Sequence, residues 1–111
     1  MDTTCLFCQI ANGELPVELL ERAENYVVFR DIAPQAPEHL LVVPTRHVAC
    51  LSAHDAPAEL GELFAAAARW GRGVGPAGYR LVVNEGQDAG QTVAHLHLHL
   101  LAGRHLSWPP G

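Results

Sequence analysis

His95-Leu96-His97-Leu98-His99-Leu100 is the stretch on which the fold of this chain turns. A β-strand sends successive side chains to opposite faces, so this run gives one row of three imidazoles and one of three leucines. A helix would scatter the same residues around its circumference. The leucine row can close a hydrophobic core while the histidine row lines a polar site. Same-face neighbours on a strand lie about 6.6 to 6.8 Å apart, and the outer pair about 13 Å. Two adjacent imidazoles can therefore serve one small group, but three cannot converge on one atom unaided.

His97, flanked on both sides, is the natural nucleophile. Imidazole attacks phosphorus or acyl carbon through an unprotonated nitrogen, so something must hold the proton on the other nitrogen. A backbone carbonyl on the same strand could do this. His99 would then donate to an oxygen of the electrophile, and His95 would orient its neighbours or bind a metal. Two other readings compete. The row could be a solvated sheet face, although ionisable clusters tend to mark sites. Two histidines at i and i+2, with a third from another strand, could also hold a catalytic zinc. Spacing alone does not separate a nucleophile from a ligand.

With 111 residues the chain has room for one core and not for two. Its 49% hydrophobic and 17% charged content describe a folded protein rather than a disordered one. The net charge of −5, with only seven Lys and Arg, argues against a nucleic-acid polymer as partner. A local site for a small anion can still oppose the global sign. Residues 1–4 lead into no long apolar core, so no secretory leader is expected, and no apolar run approaches membrane-spanning length. Three cysteines, Cys5, Cys8 and Cys50, suit a reduced cytoplasmic setting.

Along the chain, residues 5–12 read as a short helix, with Thr4 as N-cap, Phe7 and Ile10 inward and Gly13 at its end. Residues 17–22 and 26–31 read as strands turning at Glu24-Asn25. Pro34 and Pro37 make 32–38 a loop, and 39–44 is a third strand apolar enough to be covered on both faces. Asp55 is an expected N-cap, with Pro57 in the first turn. Leu60, Leu63, Phe64, Ala67 and Ala68 then recur at helical spacing until Gly71, Gly73, Gly75 and Gly78 break the pattern. Residues 79–83 and 94–102 are the last strands, joined by a polar loop over 84–92. Five mostly antiparallel strands with one long and one short helix make an α+β domain.

The run His95-Leu96-His97-Leu98-His99-Leu100-Leu101 resembles the motif of the histidine-triad (HIT) superfamily. Cys5-Leu6-Phe7-Cys8, Gly13-Glu14-Leu15-Pro16, the segment from Asp31 to Pro37, Val83-Asn84-Glu85-Gly86, Gly90-Gln91 and the terminal Trp108-Pro109-Pro110-Gly111 are similar to its nucleotide-binding protein branch. The resemblance spans nearly the whole chain. It implies a single HIT-like domain over 1–111, in a homodimer whose two sheets pair into one. It also implies a purine nucleoside phosphoramidase that splits P–N bonds of adenosine or guanosine monophosphate conjugates. His97 would form a nucleotidyl-histidine intermediate, His99 would steady phosphate oxygens, and His39 would sit beside the triad, helping to hold the proton and charge state of His97.

By the same match, Gly90, Gln91 and Thr92 would contact the phosphate and leaving group, and Asn84 the phosphate and ribose. Asp31 would accept from ribose hydroxyls, though a turn-forming Asp before a Pro-rich loop is an equally good reading of the residue alone. Phe29, Ile32 and Leu41 would wall the base, and each also suits a core position. Residues 104–111 would reach the partner and place Trp108 near its leaving-group site. No organic cofactor is implied. Cys5 and Cys8 are half a metal site by themselves; the resemblance completes a structural zinc with His47 and His95, and free thiols in the short helix are the alternative. Cys50 reads as a small buried residue. Ala94 stands where the family often has an aromatic, Thr92 replaces a Ser, and 51–78 is short and Ala-rich. These departures bear on leaving-group preference. Cleavage of dinucleoside polyphosphates or adenylylated metabolites, and a nucleotide-binding module with incidental hydrolysis, are the rival functions.

Overall fold

The computed structural model describes residues 4–111. Its elements are α1 (Leu6–Ala11), β1 (Leu19–Arg22), β2 (Tyr26–Arg30), β3 (Glu38–Pro44), a 3-10 turn (Leu51–Ala53), α2 (Pro57–Val74), β4 (Tyr79–Val82) and β5 (Leu98–Ala102). The five strands form one antiparallel sheet in the order β1-β2-β3-β5-β4. β3 lies at its centre, and its run of Leu40, Leu41, Val42 and Val43 is buried on both faces, as its unbroken apolarity requires.

Two apolar clusters sandwich the sheet. Leu63, Ala66 and Ala67 of α2 pack with Leu40, Val42, Leu96, Leu98 and Leu100 on one face. Phe7, Cys8, Ile10 and Ala11 of α1 pack with Phe29, Leu41 and Val43 on the other. Each fully buried leucine contributes about 2 to 3 kcal/mol by leaving water. The carboxylate of Glu21 in β1 accepts from Trp70 Nε1–H (2.7 Å), an Arg69 N–H (2.9 Å) and the Tyr26 hydroxyl (2.8 Å), tying the C-terminal half of α2 to the first hairpin.

Several boundaries differ from expectation. Cys5, not Thr4, is the N-cap of α1, its Sγ accepting from the Cys8 N–H at 3.4 Å. Ala56, not Asp55, precedes α2; Asp55 is drawn instead to Arg46 at 3.0 Å, while His54 Nδ1 accepts the Ala56 N–H. The long helix also runs through Gly71 and Gly73 to Val74. Gly71 sits where any Cβ would strike the Tyr79 ring at 2.6 Å, so packing keeps a glycine there without ending the helix. Cys50 is half-buried, beside Ser52, rather than a core residue.

The largest correction concerns the triad. The β5 ladder begins at Leu98, not at Ala94, because its last pairing with β3 is Leu98 with Val42. Before it the chain bends. Leu96 N–H donates to Val48 O, and the His95 ring, not its backbone, reaches the Pro44 carbonyl. The alternation outlasts the ladder. Leu96, Leu98 and Leu100 all stay in the core under α2, which turns the intervening histidines toward the α1 side.

Candidate active site

His97 is 7% exposed and wedged edge-on between Phe7, at 5.0 Å between ring centroids, and His99, at 4.9 Å. Its Nδ1 lies 2.8 Å from the main-chain oxygen of His95. A carbonyl only accepts, so Nδ1 carries a hydrogen, and the tautomer this selects is the one whose bare nitrogen is Nε2. No buried side-chain nitrogen or oxygen among the described residues lacks a partner. Nε2 makes no hydrogen bond there, so it reaches the surface.

His99 has the opposite polarity, set by a chain of donors. The Gln35 N–H donates to His39 Nδ1 at 3.0 Å, which leaves the proton of His39 on Nε2. That Nε2–H lies 2.9 Å from His99 Nδ1 and 3.4 Å from Asp31 Oδ2. His99 Nδ1 is thus the acceptor, and its Nε2 carries a hydrogen free to donate outward. Burial, with His97 and His39 alongside, pushes the His99 pKa down to about 4 against the opposing pull of Asp31. Burial likewise lowers His39, partly offset by the Asp31 carboxylate. Both rings are neutral near pH 7. A lone pair and an N–H donor therefore stand on adjacent rings, which suits attack at an electrophile whose oxygens need a donor.

His95 has no access to solvent. Its Nε2–H donates to Pro44 O at 3.0 Å, and its bare Nδ1 faces Cys5 Sγ at 3.2 Å and Cys8 Sγ at 3.5 Å. His47 Nδ1 lies 3.3 Å from Cys8 Sγ. Burial lowers the His95 pKa, opposed by the bond to Pro44. The four ligand atoms of Cys5, Cys8, His47 and His95 lie within 4.8 Å of one another, close enough to bind one metal ion. Tetrahedral zinc with Zn–S of about 2.3 Å and Zn–N of about 2.05 Å would separate sulfur from nitrogen by about 3.5 Å, so distance and donor type both fit. His95 cannot itself touch a substrate; it acts through its ring on the cysteines and through its carbonyl on His97.

The remaining site residues divide. Asp31 Oδ1 accepts the Ala33 N–H at 2.8 Å, so the turn-forming role is real, while Oδ2 faces His39. Phe29 and Leu41 pair opposite each other between β2 and β3, buried in the core beneath α1, whereas Ile32 is 94% exposed. Gln91 spends its side chain on backbone groups: Oε1 accepts from Gly86 N–H within the loop, and Nε2 donates to the carbonyls of Ala49 and Val93, pinning the loop to its surroundings. It positions the loop and leaves the Gly90 and Thr92 surface open, with Gly90 at a φ of +85°. A shallow cavity of about 470 Å³ lies against Gly86, Gly90, Thr92 and Ala94. Asn84 is half-buried at the head of that loop. Trp108 is 79% exposed, 5.8 Å from the Arg80 guanidinium, which also holds the carbonyls of Leu106 and Ser107.

Three residues at the site had no role of their own assigned from sequence, although each lies within a quoted motif. Phe7 had the look of any inward helix residue, yet it walls the His97 ring. Gln35 meets the histidines through its backbone N–H, while its side chain donates to the Ala33 carbonyl. Glu85 accepts from both the N–H and the hydroxyl of Ser52, at 2.8 and 2.6 Å, and so anchors the start of the loop.

A family model for the HIT domain matches residues 12–106. An uncharacterized HIT-like protein of Synechococcus elongatus is 43% identical over 117 residues, with the whole of both chains covered. Among solved structures, a HIT family hydrolase from Legionella pneumophila superposes with a TM-score of 0.91 at 43% identity, covering 96% of this chain and 99% of that one. A HIT family hydrolase from Clostridium thermocellum gives 0.90 at 36% identity, with 96% of each chain covered. The matched span contains all three triad histidines and His39, and this protein belongs to the HIT domain family.

Proposed function

We propose that this protein is a nucleotide hydrolase that cleaves the P–N bond of purine nucleoside phosphoramidates through a nucleotidyl-histidine on His97. The observation that carries this reading is the opposed polarity of the two rings, bare Nε2 on His97 beside Nε2–H on His99. In the first step His97 Nε2 bonds to the α-phosphorus while the P–N bond breaks. The amine leaves with the electron pair and takes up a proton from solvent water, while His99 hydrogen-bonds a non-bridging oxygen and keeps its own proton. In the second step water attacks the same phosphorus and gives a proton back to solvent, the P–Nε2 bond breaks with its electron pair returning to the ring, and the nucleoside monophosphate departs. The His95 carbonyl favours the positive ring of the intermediate.

Asp31 would accept from the ribose hydroxyls, with exposed Ile32 closing on the base and Phe29 and Leu41 backing the slot from the core. Asn84, Gly90 and Thr92 would meet the phosphate and leaving group. Cys5, Cys8, His47 and His95 would hold a structural zinc, whose contribution is to tie α1 to the triad segment. The chain would act as a homodimer: the β4 edge and the half-exposed Phe64 and Tyr79 offer surface to a second copy, and Trp108 would serve the partner's site. The odd count of three cysteines suits a cytoplasmic setting, and no helix among the described residues is long and apolar enough to cross a membrane.

Turnover of an adenosine phosphoramidate compared with that of a dinucleoside polyphosphate tests the substrate class. Faster phosphoramidate cleavage is expected; the reverse preference would refute it.

A further inference from the structure

Away from the cysteine set, Asp31, His39 and His99 bring one carboxylate oxygen and two imidazole nitrogens within 4.8 Å of one another. We infer that these three residues form a second, exchangeable site for a borderline divalent ion of the zinc, cobalt or copper class. His39 lies in β3 and His99 in the adjoining β5, while Asp31 directly follows β2, so three neighbouring strands hold the donors in place. His39 Nε2 is 3.4 Å from Asp31 Oδ2 and 2.9 Å from His99 Nδ1. Tetrahedral coordination at about 2.0 to 2.1 Å needs ligand edges of about 3.3 to 3.4 Å. Of the three edges, His39–Asp31 already has that length, His39–His99 opens by about 0.4 Å, and Asp31–His99 lies within 4.8 Å. Two imidazoles with one carboxylate select transition ions over magnesium or calcium.

The proton balance accounts for a weak, exchangeable site. His99 Nδ1 already offers a lone pair, and Asp31 is a carboxylate. His39 must free Nε2, so its proton moves to Nδ1, and the bond accepted from the Gln35 N–H is lost. Three protein donors leave a fourth position for water, unlike the four-donor cysteine site. On the reading under Proposed function, where Asp31 takes the ribose, ion and nucleotide exclude each other.

Cobalt(II) titrated into metal-free, full-length protein tests this. Two equivalents should bind, the first with intense thiolate-to-cobalt absorption and the second with weak visible bands only. His39→Gln and, separately, Asp31→Asn should weaken the second equivalent by at least about tenfold and leave the thiolate band unchanged. A single equivalent, or a second one untouched in whichever variants fold, overturns the site. Adding AMP should weaken the second equivalent alone. Cobalt bound equally well with and without AMP would overturn the exclusion while leaving the metal site standing.

Discussion

The Nδ1–H of His97 donates to the main-chain oxygen of His95 at 2.8 Å, so the ring that carries the free lone pair is aimed by the residue whose own ring meets the two cysteines. Backbone and side chain of His95 thus join the metal-binding cluster to the nucleophile across a single residue.

Cys8→Ser should therefore do two things. Loss of zinc would cost about 4 kcal/mol of stability if the ion is present at a thousandfold over its Kd, seen as a lower Tm. Looser placement of His95 should also lower kcat more than it raises KM. A strong chelator added to the wild-type protein should reproduce both effects. Unchanged Tm in chelator would remove zinc from the account.

His39→Gln deletes the ring whose Nε2–H fixes the tautomer of His99. A hydrogen bond of this kind contributes about 1 to 1.5 kcal/mol, so kcat should fall about tenfold. Steady-state kinetics at pH 7 would measure it. Wild-type kcat in a folded variant would show that His99 needs no such orientation.

Phe7 is 6% exposed, in edge contact with His97 at 5.0 Å and with Phe29 at 5.8 Å. Phe7→Ala should cost about 3 to 5 kcal/mol in urea unfolding. Below about 1 kcal/mol, the α1 contact would be dispensable.

Stability should fall in acid. The folded pKa of His99 is pushed down to about 4 from 6.5, and burial lowers His39 and His95 too. Below pH 6.5 the unfolded chain takes up protons that the folded one refuses. The stabilisation is complete above that value and drains away as pH falls toward 4, by about 1.4 kcal/mol per pH unit for each proton. Urea unfolding of metal-free protein from pH 7.5 to 4.5 measures the slope, and a flat profile would contradict the neutral, buried rings.

The leucine alternation made the sheet and the burial of 96, 98 and 100 legible, because period-2 burial is a backbone property. The doubly apolar β3 was legible for the same reason. The start of β5 was not, since it depends on the His95 side chain taking the Pro44 carbonyl, a contact between segments 51 residues apart. Gly71 looked like a helix breaker because the Tyr79 ring that requires it is invisible in local sequence. A carbonyl acceptor for His97 was foreseeable along its own segment. The Gln35 N–H that sets His39 was not, since every residue but proline offers one.

The most direct measurement is to quench the reaction with an adenosine phosphoramidate and locate the phosphorus–nitrogen adduct by peptide mass. AMP bonded to His97, and absent from His97→Ala protein that still binds AMP, is the expected result. An adduct on another residue, or undiminished turnover in His97→Ala, would contradict the account.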